Sequence, residues 1–225
     1  MFRMMKIASG VVVVLVLMLA PAARAASDQS NLVEEARITV DNLKKDQEFG
    51  SALSLMRRAR AVLIVPALLK GGFFVGGEGG NGVLLTRNDG GWSYPAFYTL
   101  ASASFGLQIG LEQAELVMIV MNEKALSAVM KSQFKVGADA GLAIVTLGSS
   151  AEAATTRAAG ADIVVWASAS GAYAGVSVNG SIIKPRASWN HAYYGHAVHV
   201  SDIVLKGAAQ NPNADALREN LASLR

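Results

Sequence analysis

The chain has 225 residues, of which 20 are Lys or Arg and 17 are Asp or Glu, and it contains no cysteine. Without cysteine the chain can form neither a disulfide nor a thiolate metal site, so an apolar core has to supply its stability. Three of the basic residues lie within the first 25 positions, which leaves 17 basic and 17 acidic residues in the rest of the chain. That balance argues against a whole-protein attraction to nucleic acid.

Residues 1–25 have the three parts of a secretory signal peptide. A basic start precedes an apolar run over residues 7–20, and Ala23-Arg24-Ala25 has the small-x-small pattern that a signal peptidase cleaves. The apolar run is shorter than the roughly 20 residues that span a bilayer. We therefore expect cleavage before Ala26, export to the periplasm or the medium, and a single mature domain over residues 26–225.

The first part of the mature chain has a helical pattern with a break near Phe49-Gly50. Apolar residues recur at spacings of four, four and three before the break, which places them on one helical face. Leu53 and Met56 continue an apolar stripe after it. The pattern predicts two amphipathic helices. The residues of the first stripe are Leu32, Ala36, Val40 and Leu43.

From Ala61 the apolar residues alternate or form short apolar runs, as is typical of β-strands. Residues 77–82 are expected to form a glycine-rich turn, and the last three strands are expected to form a meander with turns at Ser170-Gly171 and Asn179-Gly180. Strands are predicted over residues 61–65, 73–76, 83–87, 92–98, 102–112, 115–121, 136–147, 162–169, 172–178 and 181–184.

Helices are predicted at three further places. Asn122 is expected to cap a helix whose apolar stripe extends to Phe134, and two helices are expected near the end of the chain, over Trp189–Tyr194 and Asn213–Leu224. Many short strands joined by tight turns make a parallel sheet improbable. The prediction is an α+β fold: a curved antiparallel β-sheet or barrel-like sandwich with the N-terminal amphipathic helices packed on it.

Four blocks of the sequence carry a recognisable pattern: Ala61–Gly80, Trp92–Phe97, Phe105–Gly110 and Trp189–Gly195. Together they resemble the signature of the SYLF family of lipid-binding domains, and the similarity extends from about Leu32 to Leu205. The resemblance implies a binding module without a cofactor rather than an enzyme. Eukaryotic members are associated with phosphoinositides and membranes through an N-terminal amphipathic helix, and some with actin filaments. In an exported protein, binding to anionic phospholipid head groups is the property expected to carry over.

A cluster of basic residues around the N-terminal helices is the candidate lipid-binding site. Basic side chains next to an amphipathic helix favour an anionic membrane surface by about 1 kcal/mol per residue. The alternative is a solvated edge of a helix that buries its stripe on the sheet, and acidic residues in the same region favour that alternative. The candidate residues are Lys44, Lys45, Arg57, Arg58, Arg60 and Lys70.

Other patterns give no site. Gly77–Gly82 matches G-x-G-x-x-G, but a strand pattern follows it where a nucleotide site needs a helix, so we expect a hairpin or bulge with positive φ. The spacing of His191, His196 and His199 does not place all three on one helical face, and no metal site is predicted. No nucleophile with a base and an orienting group is recognisable, so no catalytic residue is predicted.

The sequence therefore predicts a lipid-binding module of the bacterial envelope. The second hypothesis is a structural or protein-binding envelope component whose aromatic motifs contact a protein partner. Neither nucleic acid nor nucleotide is expected as a ligand. The aromatic residues concerned are Trp92, Tyr94, Phe97, Trp189, Tyr193 and Tyr194.

Overall fold

A computed structural model describes residues 28–45, 53–72, 75–105, 110–146, 160–169, 178 and 180–224. The strands are β1 (Ala61–Gly72), β2 (Val75–Asn88), β3 (Gly91–Trp92), β4 (Ala96–Phe105), β5 (Gly110–Val120), β6 (Phe134–Lys135), β7 (Leu142–Thr146), β8 (Ile163–Ala169) and β9 (Ile182–Pro185). The helices are α1 (28–45), α2 (Leu53–Arg58), α3 (Glu123–Val129), α4 (Ala187–Tyr194), α5 (Val200–Val204) and α6 (Asp215–Ala222), and a 3-10 turn over Pro212–Ala214 precedes α6.

The strands form one strongly curled sheet in the order β6-β9-β4-β2-β1-β5-β8-β7, with β3 paired to β2. The strand pairs are antiparallel except β7 with β8, which is parallel. This arrangement confirms the predicted α+β fold with a curved antiparallel sheet. The longest strands, β1, β2, β4 and β5, form its centre.

The two faces of the sheet have separate apolar cores, because successive side chains of a strand point to opposite sides. One face, which we call the α1 face, carries Ile64, Val83 and Phe97 and packs against α1, α2, α4 and α6. The other, the α3 face, carries Leu63 and Leu84 and packs against α3 and α5. The central strands are apolar at successive positions because both faces are covered.

Strand β1 continues through Pro66 to Gly72, so the predicted end of this strand at Pro66 is wrong. Its register against β2 shifts by one residue between Ile64 and Leu69, and its register against β5 shifts between Val65 and Leu68. These shifts define a β-bulge around Pro66. A bulge leaves one residue out of the ladder, so proline, which has no N–H to donate, is tolerated in a central strand.

The predicted glycine-rich turn is also wrong, because residues 77–82 lie inside β2. The expected positive φ does not occur there; among the described residues it occurs at other glycines. Close approach to the bulge explains two of these glycines. A Cβ atom on Gly80 would lie 2.6 Å from the carbonyl oxygen of Ala67, and one on Gly82 would lie 2.5 Å from that of Ile64.

Two further strand predictions are wrong. Residues 102–112 are not one strand, because β4 and β5 are separated in the sheet by β2 and β1. The predicted meander does not form between the described strands, because both edges of β8 are occupied, by β5 and by β7. Its predicted middle strand lies almost entirely outside the described residues, which include only Val178 of that segment.

The helix predictions fare better. Asn122 caps α3 as predicted, since its side-chain oxygen accepts a hydrogen bond of 2.9 Å from the amide of Ala125. Phe134 belongs to β6 rather than to the helix. The two N-terminal helices and the two near the end of the chain are confirmed, while residues 1–25 and the break at 46–52 lie outside the described part. In that part, no helix combines the length and the apolar character that crossing a membrane requires.

Candidate functional site

The last turn of α2 carries Arg57 and Arg58, and both side chains are exposed to solvent. Within the described part of the chain neither has an acidic partner. Arg60 follows the helix, and its Nε lies 3.1 Å from Glu123 Oε1, with both side chains more than half exposed. An exposed ion pair of this kind contributes at most about 1 kcal/mol. Three guanidinium groups therefore lie within four consecutive positions of one exposed corner.

Helix α2 is held in place by a buried side chain and by a cation at its C-terminal end. Met56 is fully buried in the α1-face core. Arg87 donates from Nη2 to the Met56 carbonyl oxygen at 2.7 Å and from Nε to that of Ala59 at 3.3 Å. The last carbonyls of a helix lack intrahelical partners and attract positive charge. Arg87 thus fixes the end of α2, and Arg57 and Arg58 remain on the solvent side.

The remaining predicted site residues lie on α1 and at the far part of β1. Lys44 bonds to the side-chain oxygen of Asn220 and lies 3.9 Å from Asp41, whereas Lys45 is exposed. Lys70 lies opposite Glu78 and Glu112 on the neighbouring strands. It lies nine positions along β1 from Ala61, which is on the order of 25–30 Å along the strand. The structure therefore groups Arg57, Arg58 and Arg60 and leaves Lys70 apart from them.

The apolar stripe of α1 is used for packing. The side chains of Ala36, Val40 and Leu43 are fully buried against the sheet. Glu115 of β5 also binds this helix, accepting hydrogen bonds from Thr39 at 3.0 Å and from Asn42 at 2.9 Å. The alternative of a helix that buries its stripe on the sheet is therefore correct for α1. In this structure the stripe is not available to enter a membrane.

The aromatic motifs hold α4 and α6 onto the sheet. The ring of Phe97 lies 4.9 Å from that of Tyr193 and 6.0 Å from that of Trp189. The Tyr94 hydroxyl donates to Asp215 at 2.9 Å, and the Tyr194 hydroxyl donates to a backbone carbonyl at 2.7 Å. Burial raises the pKa of both of these tyrosines. The aromatic residues predicted to contact a partner are thus mostly occupied inside the domain.

The carboxylates of the strand regions serve separate structural contacts. Asp162 accepts hydrogen bonds from Asn122 at 2.7 Å and from the Gly141 amide at 2.8 Å, and these two bonds lower the pKa of its carboxyl. Asp139 accepts from the Lys135 amide at 2.7 Å. In the described ranges, no three His, Asp or Glu side chains come together as metal ligands. What the geometry offers is an exposed cationic surface.

Sequence reasoning did not single out Arg186, which immediately precedes α4. Its guanidinium carbon lies 3.7 Å from the centre of the Trp189 ring. Its Nη1 donates to the side-chain oxygen of Asn81 at 2.7 Å, although the two residues lie 105 positions apart in the sequence. A basic residue just before a tryptophan-containing helix is a weak signal, because only the sheet topology brings Asn81 to it.

A protein-family model, described as Ysc84, a Las17-binding protein actin regulator, matches residues 101–224. LAS seventeen-binding protein 3 of Saccharomyces cerevisiae is 31% identical over 194 residues, which cover 83% of this chain and 42% of that protein. SH3 domain-containing YSC84-like protein 1 of Homo sapiens is 28% identical over 204 residues, which cover 86% of this chain and 59% of that protein.

The chain spans less than two thirds of the length of these relatives. No solved structure matches it. The family model covers more than half of the chain, and the resemblance seen in the sequence blocks agrees with it. The chain therefore belongs to the Ysc84 (SYLF) family.

Proposed function

We propose that this domain is a non-enzymatic binding module of the bacterial envelope that attaches to anionic phospholipid head groups through α2. One observation carries the proposal. Arg57 and Arg58 occupy the exposed last turn of α2 without an acidic partner among the described residues, and Arg60 lies beside them.

The chemistry of arginine suits this ligand. Its planar guanidinium matches two phosphate oxygens at once and is more weakly hydrated than an ammonium group. Each basic residue near an anionic leaflet contributes about 1 kcal/mol. Arg60 can exchange Glu123 for a lipid phosphate at little cost, because an exposed pair is weak.

The attachment is electrostatic rather than insertive, because Met56 of α2 and the stripe of α1 are buried inside the domain. Binding that depends on exposed charge weakens as salt is added, since the screening length falls to about 8 Å at physiological ionic strength. The proposal therefore includes reversible, salt-sensitive attachment. The envelope location rests on the signal-peptide pattern of residues 1–25.

Vesicle co-sedimentation tests the proposal. The mature protein should sediment with phosphatidylcholine vesicles that contain phosphatidylglycerol, should not sediment with pure phosphatidylcholine, and should be released by salt. The double variant Arg57→Glu and Arg58→Glu should bind at least about tenfold more weakly, since two favourable contributions of about 1 kcal/mol each become unfavourable.

A matched control applies the same change of charge elsewhere. Lys131 and Lys135 are both exposed, and they flank Phe134 in the α3-face core. Lys131→Glu with Lys135→Glu should retain most of the binding. Equal losses in the two double variants would show that only net charge matters. Failure of the wild-type protein to bind any anionic vesicle at low salt would refute lipid binding.

A protein partner is the second candidate, because the related yeast protein is named for binding to LAS seventeen. If the exposed arginines bind an acidic protein surface, a partner from lipid-depleted envelope extract should be lost from the Arg57→Glu, Arg58→Glu variant and retained by the lysine control. Loss of vesicle binding together with retention of that partner would assign the arginines to lipid alone.

A further inference from the structure

Among the described residues, three arginines stack on aromatic rings of the α1 face. Their guanidinium carbons lie 4.5 Å from the ring centre of Trp92 for Arg87, 4.1 Å from that of Tyr94 for Arg218, and 3.7 Å from that of Trp189 for Arg186. Stacking of this kind fixes the plane of the guanidinium and contributes some binding energy of its own. The three residues differ in what balances their charge.

Two of the three cations each have two oxygen acceptors from the protein. Arg218 Nη1 lies 2.8 Å from the Asp215 carboxylate, and its Nε donates to the Trp92 carbonyl at 2.8 Å. Arg87 donates to two carbonyls at the C-terminal end of α2. Arg218 is thus neutralised by a carboxylate, and Arg87 has two carbonyl acceptors at a helix C-terminus, which attracts positive charge.

Arg186 is different. Its guanidinium donates to the amide oxygen of Asn81, and across the described ranges no carboxylate lies within ion-pair distance of it. Burial lowers the pKa of Arg186 from its ordinary value, as expected for a cation that has lost water without gaining a counter-charge. A guanidinium has five N–H donors, and the contact with Asn81 uses one of them.

The strand register places a second cation beside it. The Arg186 amide donates to the Phe97 carbonyl at 2.8 Å, which continues the pairing of β9 with β4. Asn81, Thr99 and Lys184 are opposite one another across β2, β4 and β9, in a row on the α1 face. Lys184 is exposed and lies two positions before Arg186, so both side chains leave the strand on the same face.

The guanidinium is also preorganised. Arg186 follows β9 and Asn81 lies on β2, so the Arg186 side chain reaches across the intervening β4. The Thr99 hydroxyl of β4 donates to the same Asn81 oxygen at 3.1 Å. The Trp189 ring against one face of the guanidinium and the Asn81 oxygen at one of its edges fix its orientation. A preorganised donor loses less conformational entropy when it binds a ligand.

We propose that Arg186 and Lys184 form a binding site for a phosphate-type oxyanion, in which Asn81 and Trp189 hold the guanidinium in position. A phosphate group takes two parallel hydrogen bonds from the arginine fork and a third, charge-assisted bond from the lysine. The group can belong to a soluble phosphate ester or to a phospholipid head group. The site is separate from the α2 arginines and does not depend on the function proposed for them.

The stacked tryptophan provides the readout. In ¹H–¹⁵N spectra of the purified protein, the indole resonance of Trp189 should shift saturably as sodium phosphate or glycerol 3-phosphate is added. Sodium chloride at equal ionic strength should not produce this shift. The Trp189→Phe variant assigns the resonance, and the indole signals of Trp92 and Trp166 serve as internal references.

Three variants locate the site. Arg186→Gln should weaken binding at least about tenfold, and Lys184→Gln, at an exposed position that leaves the fold intact, by about threefold to tenfold. Arg218→Gln is the matched control: it removes an arginine that also stacks on an aromatic ring but is neutralised by Asp215, and the affinity should stay within about twofold.

A short-chain phosphatidylglycerol below its micelle concentration distinguishes the two sources of phosphate. A saturable shift with this lipid and with glycerol 3-phosphate identifies a head-group site, and a shift with the soluble esters alone identifies a site for small anions. Both outcomes support the oxyanion site. It is refuted if none of these ligands shifts the Trp189 signal saturably, or if the Lys184→Gln variant binds as tightly as the wild type.

Discussion

The two N-terminal helices use their charged side chains in opposite ways. On α1, Arg37 lies 2.7 Å from Glu34 and 2.7 Å from Asp41, and Asp41 also accepts a hydrogen bond from Asn220 of α6. On α2, Arg57 and Arg58 have no such partner among the described residues. Helix α1 has acids three and four positions from its arginine, whereas α2 has no acid within its six residues. Side chains at these spacings are neighbours on a helix.

This difference between α1 and α2 in acidic partners shows which basic residues are available to a ligand. On α1, Glu34, Arg37, Asp41 and Lys44 are paired within the domain. Asp41 and Lys44 also bond to Asn220 and so help to join α1 to α6. The charges of α2 are not balanced by the described part of the protein, and they are the ones we assign to an external anion. Basic residues that look alike in the sequence can therefore have different roles.

The largest expected effect comes from removing the buried anchor of each helix. Leu43 and Met56 are both fully buried. Leu43→Ala and Met56→Ala should each lower the free energy of unfolding by about 2–5 kcal/mol, since each leaves a cavity. Urea denaturation followed by circular dichroism measures the loss, and Lys45→Ala, at an exposed position, should stay within about 0.5 kcal/mol of wild type. A loss below about 1 kcal/mol for Met56→Ala would mean that α2 is not anchored as described.

The polar contact of α1 with the sheet should have a smaller effect. Glu115→Ala removes the acceptor of Thr39 and Asn42, and it should lower the free energy of unfolding by about 1–2 kcal/mol. Glu115→Gln keeps one oxygen acceptor and should lose less. If the two variants are equally stable, the Glu115 carboxylate does not help to hold α1 on the sheet. The attachment of α1 would then depend on apolar packing alone.

The smallest effect concerns the dependence of stability on pH. Hydrogen bonding from Asn220, followed by the charges of Arg37 and Lys44, lowers the pKa of the Asp41 carboxyl below its ordinary 3.8. A group with a lowered pKa in the folded state stabilises the protein above its ordinary pKa, and this contribution is lost as the pH falls through the folded-state value. Asp41 is 35% exposed, so the contribution should stay below about 0.5 kcal/mol.

The Asp41→Asn variant tests this contribution in acid-dependent denaturation. The difference in free energy of unfolding between wild type and variant should be constant from about pH 5 to 7 and should shrink below about pH 4. A difference that does not change with pH would show that the charges on α1 are not coupled to its attachment to α6.

Much of the fold could be predicted from local patterns. The apolar stripe of α1 and the cap at Asn122 are read directly from residue spacing, and both are confirmed. The errors occur where two distant strands meet. Pro66, Gly80 and Gly82 look like turn residues, but in the structure Pro66 occupies a bulge and the two glycines make room for it. No local pattern in either segment indicates that the two segments pair.

The two proposed binding sites show the same division between what local sequence patterns predict and what the tertiary structure decides. The sequence alone determined that the α2 arginines have no acidic neighbours at helical spacing, because that depends on residues only a few positions apart. The tertiary structure decided that Lys70 lies far along β1 from these arginines and that Arg186 stacks on Trp189 and reaches Asn81. The physical reason is that helical neighbours are fixed by a local repeat, whereas contacts across a sheet depend on strand order and register, which the whole chain sets when it buries its two apolar faces.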